Sequence, residues 1–217
     1  GYDIRLNGSV LADLLRLVCF ADGTKRVPEF AFGASDSFVQ GLLSGYLSGD
    51  GNVSTSGVRA SSTSERLTTD IVLLLARVGV YATKHERSDS YSLRVPSKHV
   101  PRVHERIGLV GKRGETLAET AAYIDTDGPD ATDQIPNFGS ALKTVASEAG
   151  LPSRTVNSAQ ERQRIGRNRL ERLLSDVTPR IENNEEALRA LEQAVAGDVV
   201  WDRIESIEPV EPGHEFV

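Results

Sequence analysis

Residues 41–51 read Gly41-Leu42-Leu43-Ser44-Gly45-Tyr46-Leu47-Ser48-Gly49-Asp50-Gly51. Gly41, Ser44, Gly45 and Ser48 recur at spacings of three and four, so on a helix they form one narrow stripe. A stripe of Gly and Ser lets the backbone of another helix approach closely. The helix is expected from about residue 38 to 47, behind a capped start at Ser35-Asp36-Ser37. Gly49-Asp50-Gly51 ends it, and Gly51 permits a sharp exit. Asp50 then sits at the tip of a helix built to pair tightly, a place suited to holding a divalent metal.

Outward from this stretch the chain alternates. Short strand-like pieces follow at residues 52–55 and 57–62. Thr63 or Ser64 caps a strongly periodic helix to about Val78, with Leu67, Ile71, Val72, Leu74 and Leu75 in register, and Gly79 stops it. Residues 81–86 and 91–95 read as a hairpin across Arg87-Ser88-Asp89-Ser90, and Pro96 opens a helix to about Ile107. The order over residues 38–107 is αββαββα, which predicts an α+β fold: a four-stranded antiparallel sheet with helices on one face. Upstream, residues 2–6 read as a short strand, and Ser9 as the cap of a helix over 10–20 broken by Ala21-Asp22-Gly23-Thr24. Beyond Gly111, residues 113–135 turn polar and acidic with Gly and Pro, and residues 138–196 read as three or four short helices. Residues 199–207 alternate like a strand, and Phe216-Val217 look like another beginning.

Composition limits the function classes. The 217 residues carry a net charge of −6 and contain no apolar run long enough to span a membrane. Cys19 is the sole cysteine, which excludes a disulfide framework and a zinc site built on several Cys. His85, His99, His104 and His214 show no ligand spacing. The absence of Met, even at position 1, reads as a chain cut from something larger, and the absence of a leader reads as a cytoplasmic protein. Of 25 Lys+Arg only Lys25, Lys84, Lys98, Lys112 and Lys143 are lysine. An acidic surplus with scarce lysine resembles adaptation to molar salt and a haloarchaeal source. The acidic balance argues mildly against a nucleic-acid partner. At high salt, however, screening confines charge effects to a few ångströms, so local Arg placement outweighs the total.

Residues 41–51 resemble the second LAGLIDADG motif of dodecapeptide (DOD-type) homing endonucleases, and their neighbours resemble the flanking blocks of inteins. Lys25-Arg26-Val27-Pro28-Glu29-Phe30 looks like the Lys-x-x-Pro block before that motif. Residues 57–81, with Ser61-Ser62-Thr63-Ser64, Asp70-Ile71-Val72-Leu73-Leu74-Leu75 and Gly79-Val80, look like the block after it. Residues 198–211 resemble the strand by which an intein re-enters its splicing domain.

The resemblance implies metal-dependent hydrolysis of DNA phosphodiester bonds at a long recognition site. Asp50 would be a Mg²⁺ ligand and Lys25 a basic helper. Double-stranded DNA would lie on the outward face of the sheet, against Asn52, Ser54, Arg59 and Ser61 on the first pair and Lys84, Glu86, Arg87, Tyr91 and Arg94 on the second. Each of two packed motif helices gives one Asp in such folds, so the chain is expected to be inactive alone. Leu17-Val18-Cys19-Phe20-Ala21-Asp22-Gly23 is only a superficial first motif, because too little chain separates Asp22 from Asp50 to hold four strands and two helices. Ser48 stands two residues before Asp50, where the family often has an acid. An alternative reading is therefore a degenerate nuclease kept as a DNA-binding or structural module.

The implied organisation has four parts. Residues 1–36 link from a preceding repeat, 37–111 form the second LAGLIDADG subdomain, 112–197 a helical insert, and 198–217 the returning splicing-domain strands. Splicing is not expected, since Gly1 is no nucleophile and no terminal Asn is present. Within the insert, Ala146, Gly150 and Val156 have helix-turn-helix spacing. The Arg-rich run from Arg162 to Arg172 suits phosphate contact, and a helical spacer with a solvated face accounts for the same residues.

Overall fold

A computed structural model describes residues 8–126, 128, 132–197, 199–202, 204, 206–207 and 209. The strand expected over residues 2–6 and the readings of Gly1, His214 and residues 216–217 lie outside the described residues. The chain divides into two compact units, Gly1–Thr126 and Asp127–Val217.

In the first unit, helix α1 (Ser9–Cys19) starts behind Gly8, so Ser9 lies in its first turn instead of capping it, and the helix buries no residue. The expected break at residues 21–24 is a tight hairpin, β1 (Phe20–Ala21) with β2 (Thr24–Lys25). Asp22 and Gly23 take φ of 51° and 76° in its turn, the paired left-handed geometry that matches strand twist. Helix α2 (Asp36–Asp50) leads into β3 (Asn52–Ser54) and β4 (Gly57–Ser62), then helix α3 (Glu65–Arg77). Strands β5 (Thr83–Glu86) and β6 (Tyr91–Pro96) precede helix α4 (Val100–Arg106) and helix α5 (Gly111–Tyr123). The four longer strands form one antiparallel sheet in the order β3-β4-β6-β5, the predicted α+β arrangement.

The core lies between helices and sheet. Ile71, Leu74 and Leu75 of α3 meet Val58, Ala60, Leu93 and Val95, all buried. Each such Leu or Ile contributes roughly 1.5–3 kcal/mol. Ser64 caps α3 by accepting from the Leu67 amide at 3.1 Å while donating to the Lys25 carbonyl at 2.5 Å. The Val27 amide donates to Asp70 Oδ2 at 3.3 Å, and Arg77 donates to the carbonyls of Ala31, Phe32 and Ala34. The segment from Lys25 to Ala34 is thereby tied down along α3.

Helix α5 corrects the expected boundary at residue 111. Leu117 is fully buried in the first core, so the compact unit continues to Thr126. Sequence periodicity understates this helix because Thr and Ala carry most of its inner face. Its first turn also contains Gly114, where a Cβ would collide with the Leu109 carbonyl oxygen.

The second unit pairs β7 (Gln134–Pro136) antiparallel with β8 (Arg164–Gly166), burying Ile135 against Ile165. Around them pack α6 (Gly139–Glu148), α7 (Asn157–Arg162), α8 (Arg167–Val177) and α9 (Glu185–Ala196). Arg167 is the hub. Its Nε donates to Asp133 at 3.0 Å, and its terminal nitrogens donate to the carbonyls of Ala194, Val195, Gly197 and Val199. Ala194 and Val195 are orphan acceptors in the last turn of α9 and Gly197 and Val199 follow it, so the cation also meets the negative end of the helix dipole. Glu148 does the converse job before α9. It accepts from the amides of Glu182 (2.8 Å) and Asn183 (2.7 Å) and from the side chain of Asn184. These bonds, led by Asn184, hold its carboxyl down to about 2. The strand expected from residue 199 is absent among the described residues, where Trp201, Ile204 and Ile207 are exposed. An extended segment needs a neighbouring ladder to satisfy its backbone, and none lies beside it among the described residues.

Candidate nucleic-acid interface and half-site

Helix α2 is anchored on one side only. Ser35 caps it by accepting from the Phe38 amide, and Val39, Leu43 and Leu47 are wholly buried. Gly41, Gly45 and Gly49 are offset from these by two residues, about 200° around the helix. A Cβ at any of the three would meet nothing within 4 Å. The expected small-residue stripe is therefore bare along its glycines, while Ser44 and Ser48 are half-buried.

Asp50 closes this helix and is exposed, and its carboxylate makes no hydrogen bond or ion pair among the described residues. Its charge is felt one turn back. The Tyr46 hydroxyl is pushed above its ordinary value by burial and, secondarily, by the Asp50 carboxylate. Ser48 serves packing. Its Oγ accepts from the Val110 amide at 2.9 Å, and its carbonyl accepts from Arg113. Lys25 is exposed on β2 and makes no ion pair with Asp50.

Two basic residues that sequence reasoning passed over border the strand that follows this helix. An open cavity of about 650 Å³ beside β3 is lined by Asn52, Val53 and residues 110–113 with Thr116. Lys112 and Arg113 thus border Asn52, two residues after Asp50. The signal was a basic pair set between Gly111 and Gly114.

The open face of the sheet follows from register. Arg59 pairs with Asn52 on one side and Arg94 on the other, and Arg94 pairs with Thr83, making one row across all four strands. Ser61, Ser92 and His85 make a second row. Ser54 shares the face of Asn52 by strand alternation. Arg94 donates to the Ser56 carbonyl at 3.2 Å.

Three expected outward residues lie on the other side. Lys84 opposes buried Leu93, and its Nζ donates to Glu65 (2.8 Å) and Thr69 (3.1 Å) on α3. Tyr91 is in phase with Leu93 and Val95, and Glu86 pairs with Tyr91. Tyr91 and Arg94 are three residues apart and cannot share a face of a regular strand. Thr83 and His85 take the outward places assigned to Lys84 and Glu86. Arg87 is exposed in the turn.

No group of three or more His, Cys, Asp or Glu converges among the described residues. One free carboxylate still suits Mg²⁺, which takes one or two carboxylates together with water and phosphate oxygens. The chain fits such an ion as part of a donor set and not as the whole of it. None of the described helices is long and apolar enough to cross a membrane.

Residues 37–108, which hold α2, the sheet, α3 and α4, match the family model described as a LAGLIDADG-like domain. That match supports the homing endonuclease family for this part of the chain. Two relatives span nearly the whole chain and a third less than half of it. The DNA-directed RNA polymerase protein Rpo1C from Methanocaldococcus jannaschii is 32% identical over 226 residues, covering 100% of this chain and 26% of its own length. A component of the A-type ATP synthase from Methanopyrus kandleri is 25% identical over 99% of this chain and 21% of its own length. A DNA polymerase from Thermococcus hydrothermalis is 32% identical over 45% of this chain and 7% of its own length. The chain spans about a quarter or less of the length of these relatives.

Proposed function

We propose that the chain is the second half of an intein-encoded homing endonuclease, which hydrolyses DNA phosphodiester bonds with Mg²⁺ when completed by a preceding LAGLIDADG repeat. The observation that carries this is helix α2, buried on one side, bare along Gly41, Gly45 and Gly49 on the other, and ending in the exposed Asp50. A second motif helix laid on that stripe would bring its own terminal carboxylate beside Asp50. A single segment matched in an RNA polymerase protein, an ATP synthase component and a DNA polymerase, each over a small part of its length, favours an element inserted into unrelated hosts.

In this reading Asp50 holds the metal, which when bound polarises the scissile phosphate and activates water. Lys25, or Lys112 beside the tip, offsets the developing negative charge. Asn52, Ser54, Arg59, Ser61 and Arg94 face the DNA, since a sheet ribbon fits the major groove, and Arg87 reaches it from the turn. The bare apolar side of α1 packs on the preceding repeat, residues 127–197 form an insert, and those from 199 lead back to a splicing domain that supplies the missing strand partner. The working place is the cytoplasm. One observation favours a decayed nuclease that only binds DNA: Ser48 is committed to the Val110 amide.

A cleavage assay on cognate DNA with Mg²⁺ separates these readings. The complete parent is expected to cut and the isolated chain not to cut. Asp50→Asn in the parent is expected to abolish cutting while binding stays nearly intact, because it removes a ligand and no groove contact. Binding without cutting by the unmodified parent would favour decay.

A further inference from the structure

We infer that α6, the turn after it and α7 form a helix-turn-helix that lays its second helix in the major groove of duplex DNA, giving the chain a second DNA contact in its second unit. The inference rests on the proposed function only for the duplex being the same molecule. The geometry is its own. Val145, Ala146, Ala149, Val156 and Ala159 are all buried in one apolar cluster, at the spacing by which the two helices of a helix-turn-helix pack. Gly150 takes φ of 71°, and the Leu151 amide donates back to the Ala146 carbonyl at 2.9 Å, which turns the chain sharply. The tight turn at Ser153–Thr155 then runs into α7 through the Ala159 and Gln160 amides, which donate to Val156. Arg169 clamps this second rod by donating to the Thr155 carbonyl (2.8 Å) and Ser158 Oγ (3.2 Å).

The outer side of the rod distinguishes a reader from a spacer. Arg154, Asn157, Glu161 and Arg162 are exposed at helical spacing, and Arg164 follows in β8. None of the three arginine side chains makes a hydrogen bond or ion pair among the described residues. On α9, by contrast, Arg189 lies 4.0 Å from Glu185 one turn earlier. Here Glu161 is left without an arginine partner among the described residues, although Arg162 stands next to it. Unpaired arginines around an amide side chain suit phosphates flanking a base edge, where Asn bonds adenine and Glu accepts from cytosine. The groove that admits a helix belongs to B-form DNA, because the major groove of duplex RNA is too narrow.

The test uses the full chain and a labelled random-sequence DNA duplex of about 30 base pairs, roughly three helical turns. Replacing Arg154, Arg162 and Arg164 together by Gln is expected to weaken binding about tenfold and to make the log-affinity against log-salt slope shallower by about two to three. The melting midpoint should not move, and Arg189→Gln on α9 should leave affinity unchanged. Asn157→Ala should keep the salt slope and lose preference at one base position in sequences selected from the pool. Arg59→Gln with Arg94→Gln reports on the sheet separately. If that pair abolishes binding while the triple variant binds like wild type, the sheet reading stands and this inference falls. If the triple variant alone loses binding, the inference stands and the sheet reading falls. Equal competition by duplex RNA would overturn the assignment to DNA.

Discussion

Helices α3 and α2 belong to one unit and are treated oppositely by it. On α3 the apolar residues Ile71, Leu74 and Leu75 are covered by the sheet, the start is capped by Ser64, and Asp70 and Arg77 tie down the preceding chain. On α2 the residues Val39, Leu43 and Leu47 are covered as well, but three glycines on the far side face open space, and the terminal carboxylate has no partner among the described residues. A helix whose packing surface is consumed within the chain is explained by stability. Glycine costs a helix interior roughly 0.5–1 kcal/mol relative to alanine, so packing within the chain does not account for the three bare glycines. The same contrast separates α3 from α1, whose Val10 and Leu17 are 82% and 74% exposed.

Substitutions sharpen this contrast, in order of expected size. Leu74→Ala should destabilise the first unit by about 2–5 kcal/mol in urea unfolding, since the methyls lost leave a cavity under a fully buried side chain. A shift below about 1 kcal/mol would mean α3 is not its keystone. Arg167→Lys should cost the second unit about 2 kcal/mol, because an ammonium cannot span Asp133 and four carbonyls. Its melting transition, followed separately from that of the first unit, checks this.

Acid gives a smaller effect with a defined sign. Glu148 is held down to about 2 in the folded chain, against about 4.3 unfolded. Its stabilising bonds are therefore fully present above the unfolded value and lost as pH falls from there toward 2. Glu148→Gln should flatten the loss of stability over that window, measured by thermal melting. The smallest expected change is a gain. Gly45→Ala should stabilise the isolated chain by about 0.5–1 kcal/mol, because helix propensity rises and nothing opposes the methyl. Destabilisation would mean the stripe is already covered.

The αββαββα order was legible because α3 carries full apolar periodicity and the caps Ser35 and Ser64 stand where local chemistry puts them. Helix α5 was not, since its inward residues are Leu117 and Thr120 among Ala and Gly, which give little period. The phase of the second hairpin failed for another reason. Lys84 is polar, and polarity alone does not tell the open face from a side chain reaching round to Glu65. Asp50 was singled out from the motif that residues 41–51 resemble. Lys112 and Arg113 were not, because only tertiary packing of α5 on β3 brings them beside Asn52.

The central claim is that α2 is half of a helix pair completed elsewhere in the parent protein. The most direct measurement is the rate at which the complete parent carrying Gly45→Leu cleaves cognate DNA with Mg²⁺. The expected result is loss of cutting, because a side chain on the bare stripe keeps the second helix and its carboxylate away from Asp50, while the same substitution leaves the melting of the isolated chain unharmed. A Gly45→Leu parent that cuts at the unmodified rate would contradict the account.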